Sequence, residues 1–251
     1  MIDIHCHMIP GIDDGSPHIE ASLEMAVMAV ESGVDTLICT PHANQVGRFE
    51  NFAGRQLQER FLHLRDIVQR EGIPLDLYLG QEIYSGPDMG EKIQQRRLIS
   101  LNHSGYYLIE FDFEEEAEMI EHYIETVFRC GGIPILAHPE RYTCVQEQPG
   151  RIYYWMKGGV LTQVNKGSLF GRFGRDAYET VRILLDHGLV NCVATDAHSP
   201  YVRTTHMTEA REWLEKYYGM DQAHRLTMTA PERIITGQRL PFKGREIHEG
   251  R

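Results

Sequence analysis

Apolar residues along the chain recur with two alternating periods. Short apolar runs, typical of buried strands, alternate with longer segments in which apolar residues return every three or four positions, as in amphipathic helices. In residues 19–32, for example, Leu23 and Val30 share one helical face, Gly33 ends the helix, and an apolar run at 36–40 follows. Strands that alternate with helices over short links predict an α/β fold with a parallel sheet, either open or closed into a barrel.

The predicted elements cover most of the chain without a linker between them. The predicted strands are residues 1–5, 36–40, 75–79, 106–111, 133–137, 161–164 and 190–194. The predicted helices are residues 19–32, 57–70, 117–129, 151–156, 176–187 and 208–217. Residues 1–240 are therefore expected to form a single domain, and the polar, charged residues 241–251 are expected to form a disordered tail.

Composition narrows the classes of function. The chain has 251 residues, and 25 Lys plus Arg against 36 Asp plus Glu give a net charge of −11. This acidic balance argues against binding to nucleic acid or to an anionic membrane surface. No apolar run approaches the roughly 18 residues of a membrane span, and the first residues lack the pattern of a signal peptide. We therefore expect a cytoplasmic protein whose five scattered cysteines are reduced.

Residue types that ligate metals collect at the ends of the predicted strands. They are His5, His7, His42, Glu82, Glu110, His138, Asp196 and His198, and the segment Asp13-Asp14-Gly15 lies in the loop after the first strand. In parallel α/β folds the carboxyl ends of the strands meet where active sites form. Each residue alone has an ordinary explanation as a core or solvated side chain, but buried polar groups without partners would cost about 1–3 kcal/mol each. Their recurrence predicts a multinuclear metal centre, with imidazoles suited to Zn, Mn or Fe and carboxylates favouring Mn or Mg.

The motifs at these strand ends resemble those of the polymerase-and-histidinol-phosphatase (PHP) family of metal-dependent phosphoesterases. Within that family, the chain is most similar to the bacterial tyrosine-protein phosphatases of the CpsB/CapC type. The resemblance runs from residue 1 to about residue 240. The matching segments are MIDIHCH (1–7), DDG (13–15), TPH (40–42), GQEIY (80–84), LIEF (108–111), AHPERY (137–142), TQVN (162–165) and VATDAH (193–198).

The resemblance implies a distorted β/α barrel of the TIM-barrel type with three divalent metal ions at the C-terminal ends of the strands. Manganese is the expected metal, with Fe, Zn and Mg as alternatives. By match of motif, the three sets of ligands are His5, His7, Glu82 and Asp196; Glu82, Glu110 and His138; and Asp14, His42 and His198. The resemblance also places Arg141 and Arg203 against the phosphate of a substrate. For Arg203, a solvated surface position is the alternative interpretation.

The implied activity is the hydrolysis of phosphotyrosine in proteins by a metal-activated hydroxide. Four carboxylates against the six positive charges of three divalent ions leave about +2, so an acidic protein can still hold a phosphate dianion. The phenol leaving group, with a pKa of about 10, needs no strong general acid. His42 or Asp14 could serve as a general acid only if it did not also act as a metal ligand. No cysteine has an arginine six positions later, and neither Gly-Lys nor Gly-x-Ser-x-Gly occurs, which excludes thiol, P-loop and serine-elbow chemistry.

Other functions are compatible with parts of this pattern. Histidinol phosphate or another small phosphoester is the closest alternative substrate, although segments 137–142 and 162–165 favour the tyrosine-phosphatase branch. A non-catalytic metal-binding protein conflicts with nine filled ligand positions, and a DNA-processing role conflicts with the acidic charge.

The resemblance also bears on partners and assembly. It implies that the substrate is a bacterial tyrosine autokinase that controls capsule or exopolysaccharide synthesis. Within the predicted first helix, the segment from Glu20 to Glu24 lacks the Glu-Glu-x-x-Arg motif of ring-forming relatives. A homo-oligomer of another kind stays possible. The ring contact of those relatives therefore does not carry over to this chain.

Overall fold

The structure is a computed structural model, and it describes residues 1–247 of the chain. Each of its strands is short, with two to five residues. The strands of this part of the chain are β1 (Ile2–Cys6), β2 (Thr36–Cys39), β3 (His42–Ala43), β4 (Asp76–Leu79), β5 (Glu82–Tyr84), β6 (Tyr106–Glu110), β7 (Ile133–Ala137), β8 (Leu161–Asn165) and β9 (Cys192–Ala194).

The helices alternate with the strands as predicted. They are α1 (Ile19–Glu31), α2 (Arg55–Arg70), α3 (Met89–Gln94), α4 (Ala117–Arg129), α5 (Thr143–Glu147), α6 (Gly150–Lys157), α7 (Arg175–Asp186), α8 (Thr208–Tyr218), α9 (Met220–His224) and α10 (Ala230–Ile235). All six predicted helices are confirmed, with ends shifted by at most two residues. The helices α3 and α5 were not predicted, because five or six residues are too few for a helical period to emerge. The helices α9 and α10 were not predicted either, and a π-helical segment, Arg225–Thr229, joins them into one helical stretch.

The strands form two parallel sheets. The first has the order β1-β2-β4, the second has the order β3-β5-β6-β7-β8-β9, and every pair of neighbours is parallel. The predicted parallel α/β fold is therefore confirmed. Hydrogen bonding within residues 1–247 does not close the strands into one ring, so the predicted barrel is not confirmed.

Two of the predicted strands, 36–40 and 75–79, are each followed by a second short strand, β3 and β5. Pro41 separates β2 from β3, because proline has no amide hydrogen to donate to a sheet. Gly80 separates β4 from β5 where the chain passes close to Leu101, and a Cβ on Gly80 would lie 2.6 Å from Leu101 Cδ2. The two segments remain paired across these breaks, since Gly80 N donates to Cys39 O at 2.9 Å and Glu82 N donates to Pro41 O at 3.1 Å.

The first and last strands of the described chain lie side by side. Asp196 N donates to His5 O at 2.9 Å, and His7 N donates to Ala197 O at 2.8 Å. Below them the buried Asp3 carboxylate accepts from the Thr195 hydroxyl at 2.5 Å. Burial raises the pKa of Asp3, although the bonds from Thr195 act in the opposite direction. The end of β1 is thereby fixed to the segment after β9.

A small apolar cluster lies between strands of both sheets. Its members come from β1, β2, β6, β7, β8 and β9, and the helix α10 closes it from below. On β6, Tyr106 and Leu108 belong to this cluster, and Glu110 is the next residue on the same face of the strand. A larger cluster, which includes Ile109, packs the other face against the helices. The alternation places polar ligand-type residues directly above an apolar layer.

The end of the described chain has no regular secondary structure but does touch the domain. Arg245 N donates to His187 O at 2.8 Å, and Ile247 packs against the larger apolar cluster. Residues 248–251 lie outside the described residues, and disorder across 241–251 stays a prediction. None of the helices within residues 1–247 combines the length and apolar character needed to cross a membrane.

We expect Tyr142→Phe to lower the free energy of unfolding by about 1–3 kcal/mol, because it leaves two buried backbone groups unpaired. The Tyr142 hydroxyl donates to Ala137 O at 2.7 Å and accepts from Phe111 N at 3.2 Å, which ties the ends of β6 and β7 together. Urea unfolding checks this. Tyr153→Phe, which removes a hydroxyl that bonds to none of the described residues, is the control, and equal losses for both variants would contradict the explanation.

Candidate metal centre

All nine predicted ligand residues lie close together, at the carboxyl ends of β1, β2, β4, β6, β7 and β9 or in the segments that follow them. Their positions are His5 in β1, His7 after it, Asp14 in the next loop, His42 and Glu82 at the starts of β3 and β5, Glu110 at the end of β6, His138 after β7, and Asp196 and His198 after β9. The predicted convergence of six strands on one place is confirmed. Metal binding by these residues stays a prediction.

The carboxylate of Glu82 lies at the middle of this cluster. Its oxygens are 3.2 Å from Nε2 of both His5 and His7, 2.9 Å from Nδ1 of His42 and 3.0 Å from Nε2 of His138. The side chain of Glu82 is only about 1% exposed. One buried carboxylate therefore contacts imidazoles that arrive from β1, β3 and β7.

Three overlapping groups of ligand atoms have the spacing of metal sites. Within each group the atoms lie within 4.8 Å of one another, and the groups are His7, Asp14, His42 and His198; His5, His7 and Asp196; and His42, Glu82 and Glu110. His7 and His42 each belong to two groups, whereas the motif match assigns each of them to one metal. The nine side chains form one continuous cluster, and their division among individual metals stays a prediction.

The cluster contains carboxylate oxygens that the protein itself does not satisfy. Glu82 Oε2 and Asp196 Oδ1 are buried, and among the described residues neither has a hydrogen-bond partner of good geometry. Both oxygens lie 2.9–3.6 Å from imidazole nitrogens of the cluster, and these contacts stabilise the buried charge only where a ring is protonated or a cation lies between the groups. A cation between the carboxylates and imidazoles would satisfy both oxygens, and this mixed oxygen and nitrogen set suits Mn, Fe or Zn. The residues present therefore fit divalent metal ions.

Hydrogen bonds from surrounding residues orient the imidazole of His5. Its Nδ1 donates to Gln163 Oε1 at 2.8 Å, which leaves the Nε2 lone pair facing the cluster. Gln163 Nε2 donates to Asn165 Oδ1 at 2.9 Å, and Asn165 Nδ2 donates to Asp196 Oδ2 at 2.6 Å. This chain of amides holds both a candidate imidazole ligand and a candidate carboxylate ligand, as outer partners do in metal sites.

The imidazole of His7 is oriented by a second carboxylate. His7 Nδ1 donates to Asp13 Oδ2 at 2.8 Å, and Asp13 also accepts from the backbone of His42 at 3.0 Å. The loop comes this close because residue 15 is glycine, where a Cβ would lie 2.2 Å from His7 O. Burial raises the pKa of Asp13, but the charge and hydrogen bond of His7 outweigh it, so the pKa is lowered.

The carboxylates also change the protonation of the imidazoles. Burial alone lowers the pKa of His5, but Glu82 and Asp196 outweigh burial, and the pKa of His5 is raised. The pKa of His42 is likewise raised against the effect of burial, mainly by Glu82. The pKa of His198 is instead lowered, chiefly by burial. Without a metal, protons on His5 and His42 supply part of the positive charge that the carboxylates require.

Both predicted arginines lie at the mouth of the cluster. The Arg141 guanidinium lies 4.3 Å from the ring of Phe113 and 4.4 Å from that of Phe173, and its Nη1 is 3.9 Å from Asp196 Oδ2. Arg203 pairs with the same Asp196 oxygen, and its Nε donates to Asp196 O at 3.1 Å. The alternative of a solvated surface position does not describe Arg203, whose side chain is 30% exposed and ion-paired.

Several residues of the site were missed by sequence reasoning. Asp13 belongs to the DDG motif at 13–15, but the motif match assigns a role only to Asp14. Gln163 and Asn165 also lie in a quoted motif, and their spacing of two residues on a strand was the available signal. Gln45 and Arg48 line the same cavity as the ligands, and nothing in their local sequence indicated it.

Fold and site together define the class of protein: a parallel α/β protein with a candidate multinuclear metal centre at the carboxyl ends of its strands. A family model described as "Capsular polysaccharide synthesis, CpsB/CapC" matches residues 1–236. The chain belongs to this family, and the resemblance stated from the sequence is confirmed.

Individual relatives match over nearly the whole chain. Tyrosine-protein phosphatase YwqE of Bacillus subtilis (strain 168) is 37% identical, covering 98% of both chains. Tyrosine-protein phosphatase CpsB of Streptococcus pneumoniae is 31% identical, covering 95% of this chain and 99% of the relative. A solved structure described as one of YwqE and CpsB, "unique metal-dependent tyrosine phosphatases", has a TM-score of 0.91 at 35% identity and covers 99% of this chain and 100% of that chain. A lactonase from Listeria monocytogenes, with a TM-score of 0.62 at 11% identity and 95% coverage of both chains, shares the fold alone.

We expect Asp13→Ala to weaken binding of Mn²⁺ by about 10–100-fold, because His7 loses the partner that fixes its orientation. Titration calorimetry of metal-free protein measures this affinity. Asp66→Ala, which removes an exposed carboxylate on α2, is the matched control. An Asp13→Ala variant that stays folded and binds Mn²⁺ as tightly as the control would contradict the role of Asp13.

Metal affinity is expected to rise with pH between about pH 6 and pH 8. The raised pKa values of His5 and His42 mean that these rings hold protons in the metal-free protein, and a metal binds only the neutral imidazole. Raising the pH removes the competing proton and favours the bound form. Calorimetry in two buffers with different ionisation enthalpies measures the protons released per metal, and zero release at pH 6.5 would rule out this account.

Proposed function

We propose that this chain is a metal-dependent phosphatase that hydrolyses phosphotyrosine in proteins. The observation that carries this proposal is the cluster of nine ligand-type side chains, most of them buried, beside two arginines at its mouth. Two buried oxygens of the cluster, on Glu82 and Asp196, make no hydrogen bond of good geometry with the described residues. Further support comes from the relatives, which are named tyrosine-protein phosphatases and match the chain from end to end. The arrangement suits phosphoryl transfer, because charge neutralisation and positioning supply most of the catalysis.

We infer three divalent ions, with manganese as the expected metal. The proposed ligand sets are those of the motif match: His5, His7, Glu82 and Asp196; Glu82, Glu110 and His138; and Asp14, His42 and His198. When bound, such ions would lower the pKa of a water molecule towards neutrality and neutralise phosphoryl oxygens. The central position of Glu82, within 3.2 Å of four imidazoles, supports its role as a bridging ligand.

The two arginines are proposed to hold the phosphoryl group. Arg141 presents a planar guanidinium between two aromatic rings, so its orientation is fixed before a substrate arrives. Arg203 is held through Asp196. Each can donate two hydrogen bonds to phosphoryl oxygens and stabilise the charge that develops there during attack. The phenolate of tyrosine leaves without a strong acid, and we assign no general acid.

We also propose that the two sheets form one distorted barrel that makes up a single domain over residues 1–240. β2 continues into β3 and β4 into β5 after breaks of two residues, which joins the sheets along one side. Along the other side a parallel bridge joins Cys6 to Ala197. The small apolar cluster contains residues from both sheets, as the interior of a barrel would.

The proposed substrate protein is a bacterial tyrosine autokinase that acts in capsule or exopolysaccharide synthesis. The family is described by capsular polysaccharide synthesis, and a phosphotyrosine phosphatase of that pathway requires a tyrosine kinase as its counterpart. This partner places the activity in the cytoplasm, where ATP-dependent kinases act. We propose no role in binding nucleic acid, in agreement with the net charge of −11.

We expect phosphate release from a phosphotyrosine peptide to require Mn²⁺, to stop with a chelator and to fall at least about 100-fold in His138→Ala, which loses a ligand next to Glu82. Histidinol phosphate is assayed in parallel. His63→Ala, an exposed histidine on α2, is the matched control. Preference for histidinol phosphate would overturn the substrate class, and release that persists in His138→Ala would overturn the proposed site.

A further inference from the structure

The cavity at the metal centre is small and almost wholly polar. Its volume is about 140 Å³, close to the roughly 150 Å³ of a cavity that holds a single benzene ring. Phe113 is the one apolar side chain among the described residues that line it. Metal ions and a phosphoryl group would fill this space. The ring of a phosphotyrosine, and the peptide that carries it, therefore need a second surface.

A larger groove opens directly beside the metal cavity. This side groove lies between residues 44–48 and residues 84–88 with Lys92, and its volume is about 420 Å³. It shares two lining residues, Gln45 and Arg48, with the metal cavity. Gln45 Nε2 donates to Glu110 Oε2 at 3.3 Å, and Arg48 Nη2 lies 3.2 Å from an oxygen of a second candidate ligand, Asp14. The two spaces are therefore adjacent, with the side chains of Gln45 and Arg48 between them.

Hydrogen bonds hold the two walls of the side groove together. Asn44 Nδ2 donates to Tyr84 O at 2.8 Å, and Lys92 Nζ donates to Asn44 Oδ1 at 2.6 Å. Lys92 is buried and lies 3.2 Å from Asp88 Oδ2, so its charge is already paired. Val46 is 79% exposed at the first wall. A fixed polar base, with the exposed Val46 and Pro87 and the half-buried Tyr84 along its walls, suits an aromatic ring followed by peptide backbone.

Neighbouring surfaces fit the ring less well. The 610 Å³ cavity beside Leu57 and the 260 Å³ cavity beside Lys166 share no lining residue with the metal cavity. Inside the metal cavity, Phe113 is stacked against the guanidinium of Arg141 at 4.3 Å. A substrate ring on Phe113 would compete with that contact. Binding in the side groove leaves the contact of Phe113 with Arg141 in place. Arg48, between the two spaces, lies over the ring of Phe49 at 4.7 Å, so a substrate ring would meet the other face of its guanidinium.

We propose that the side groove binds the tyrosine ring and the adjoining residues of the substrate, while the metal cavity holds the phosphoryl group. This inference rests on the proposed function, since it locates the substrate of that function. Arg48, at the junction of the two spaces, lies where the ring joins the phosphoryl group and can interact with the ring face as a cation. The groove thus selects an aryl phosphate within a polypeptide over a small phosphoester.

The test compares peptide recognition with recognition of phosphate alone. The KM for a phosphotyrosine peptide reports both spaces, whereas the inhibition constant of inorganic phosphate reports the metal cavity. We expect Val46→Glu, and independently Gly86→Leu, to raise the ratio of these constants about tenfold. A Cβ on Gly86 would face Asn44 Nδ2 at 3.4 Å, which places the leucine in the groove without a clash.

Val202→Glu is the matched control for Val46→Glu. Val202 is 72% exposed and lines neither the metal cavity nor the side groove, so it introduces the same charge near the mouth without touching the peptide. We expect it to change the ratio by less than about twofold. If Val46→Glu and Val202→Glu raised this ratio equally, the proposal would be overturned. It would also be overturned if the ratio rose only in a Phe113→Ala variant.

A direct binding measurement separates this inference from the proposed function. The Kd of a fluorescent phosphotyrosine peptide for the Mn²⁺-loaded protein is measured by anisotropy, whether or not the protein hydrolyses the peptide. Binding that weakens in Val46→Glu and Gly86→Leu but not in Val202→Glu supports the side groove even if the peptide is not hydrolysed. If the wild-type protein hydrolyses the peptide and all three variants match it in KM and Kd, the proposed function stands and the side groove is wrong.

Discussion

The buried carboxylate of Glu82 is the group on which the rest of the site depends. A carboxylate that is about 1% exposed requires positive charge and hydrogen bonds around it. Imidazoles of His5, His7, His42 and His138 supply the contacts, at 2.9–3.2 Å. They reach Glu82 because His5 and His7 come from the end of β1, His138 follows β7, and His42 pairs with Glu82 in the register of β3 and β5. Protons on the imidazoles, or metal ions between the groups, then complete the charge balance.

The fold fixes those strand ends from below and from the sides. The small apolar cluster fills the space beneath the ligands, and Asp3 and Tyr142 each bond across neighbouring strand ends. The backbones of His138 and Asp196 are left-handed, with φ of 36° and 50°. Such conformations cost about 1–3 kcal/mol each in residues other than glycine. The surrounding contacts hold both side chains in place against that strain.

Charge is arranged in layers outward from the cluster. Amide and carboxylate partners such as Gln163 and Asp13 orient the imidazoles, and Arg141, Arg203 and Arg48 stand at the mouth. A protein of net charge −11 thus presents positive groups where a phosphoryl group would enter. Recognition of the phosphoryl group and recognition of the peptide are proposed to occupy separate spaces, joined at two residues.

The sequence by itself determined the long helices and the parallel α/β class, and it predicted the nine candidate ligand positions, because periodicity and strand-end spacing are local properties. The tertiary structure decided what depends on distant parts of the chain. Gln163 orients His5 across 158 positions of sequence, and Arg48 reaches the mouth only because its segment folds back beside Asp14. β3 and β5 were not predicted, because strands of two or three residues carry no period. Their existence follows from pairing with neighbours, which no local pattern encodes.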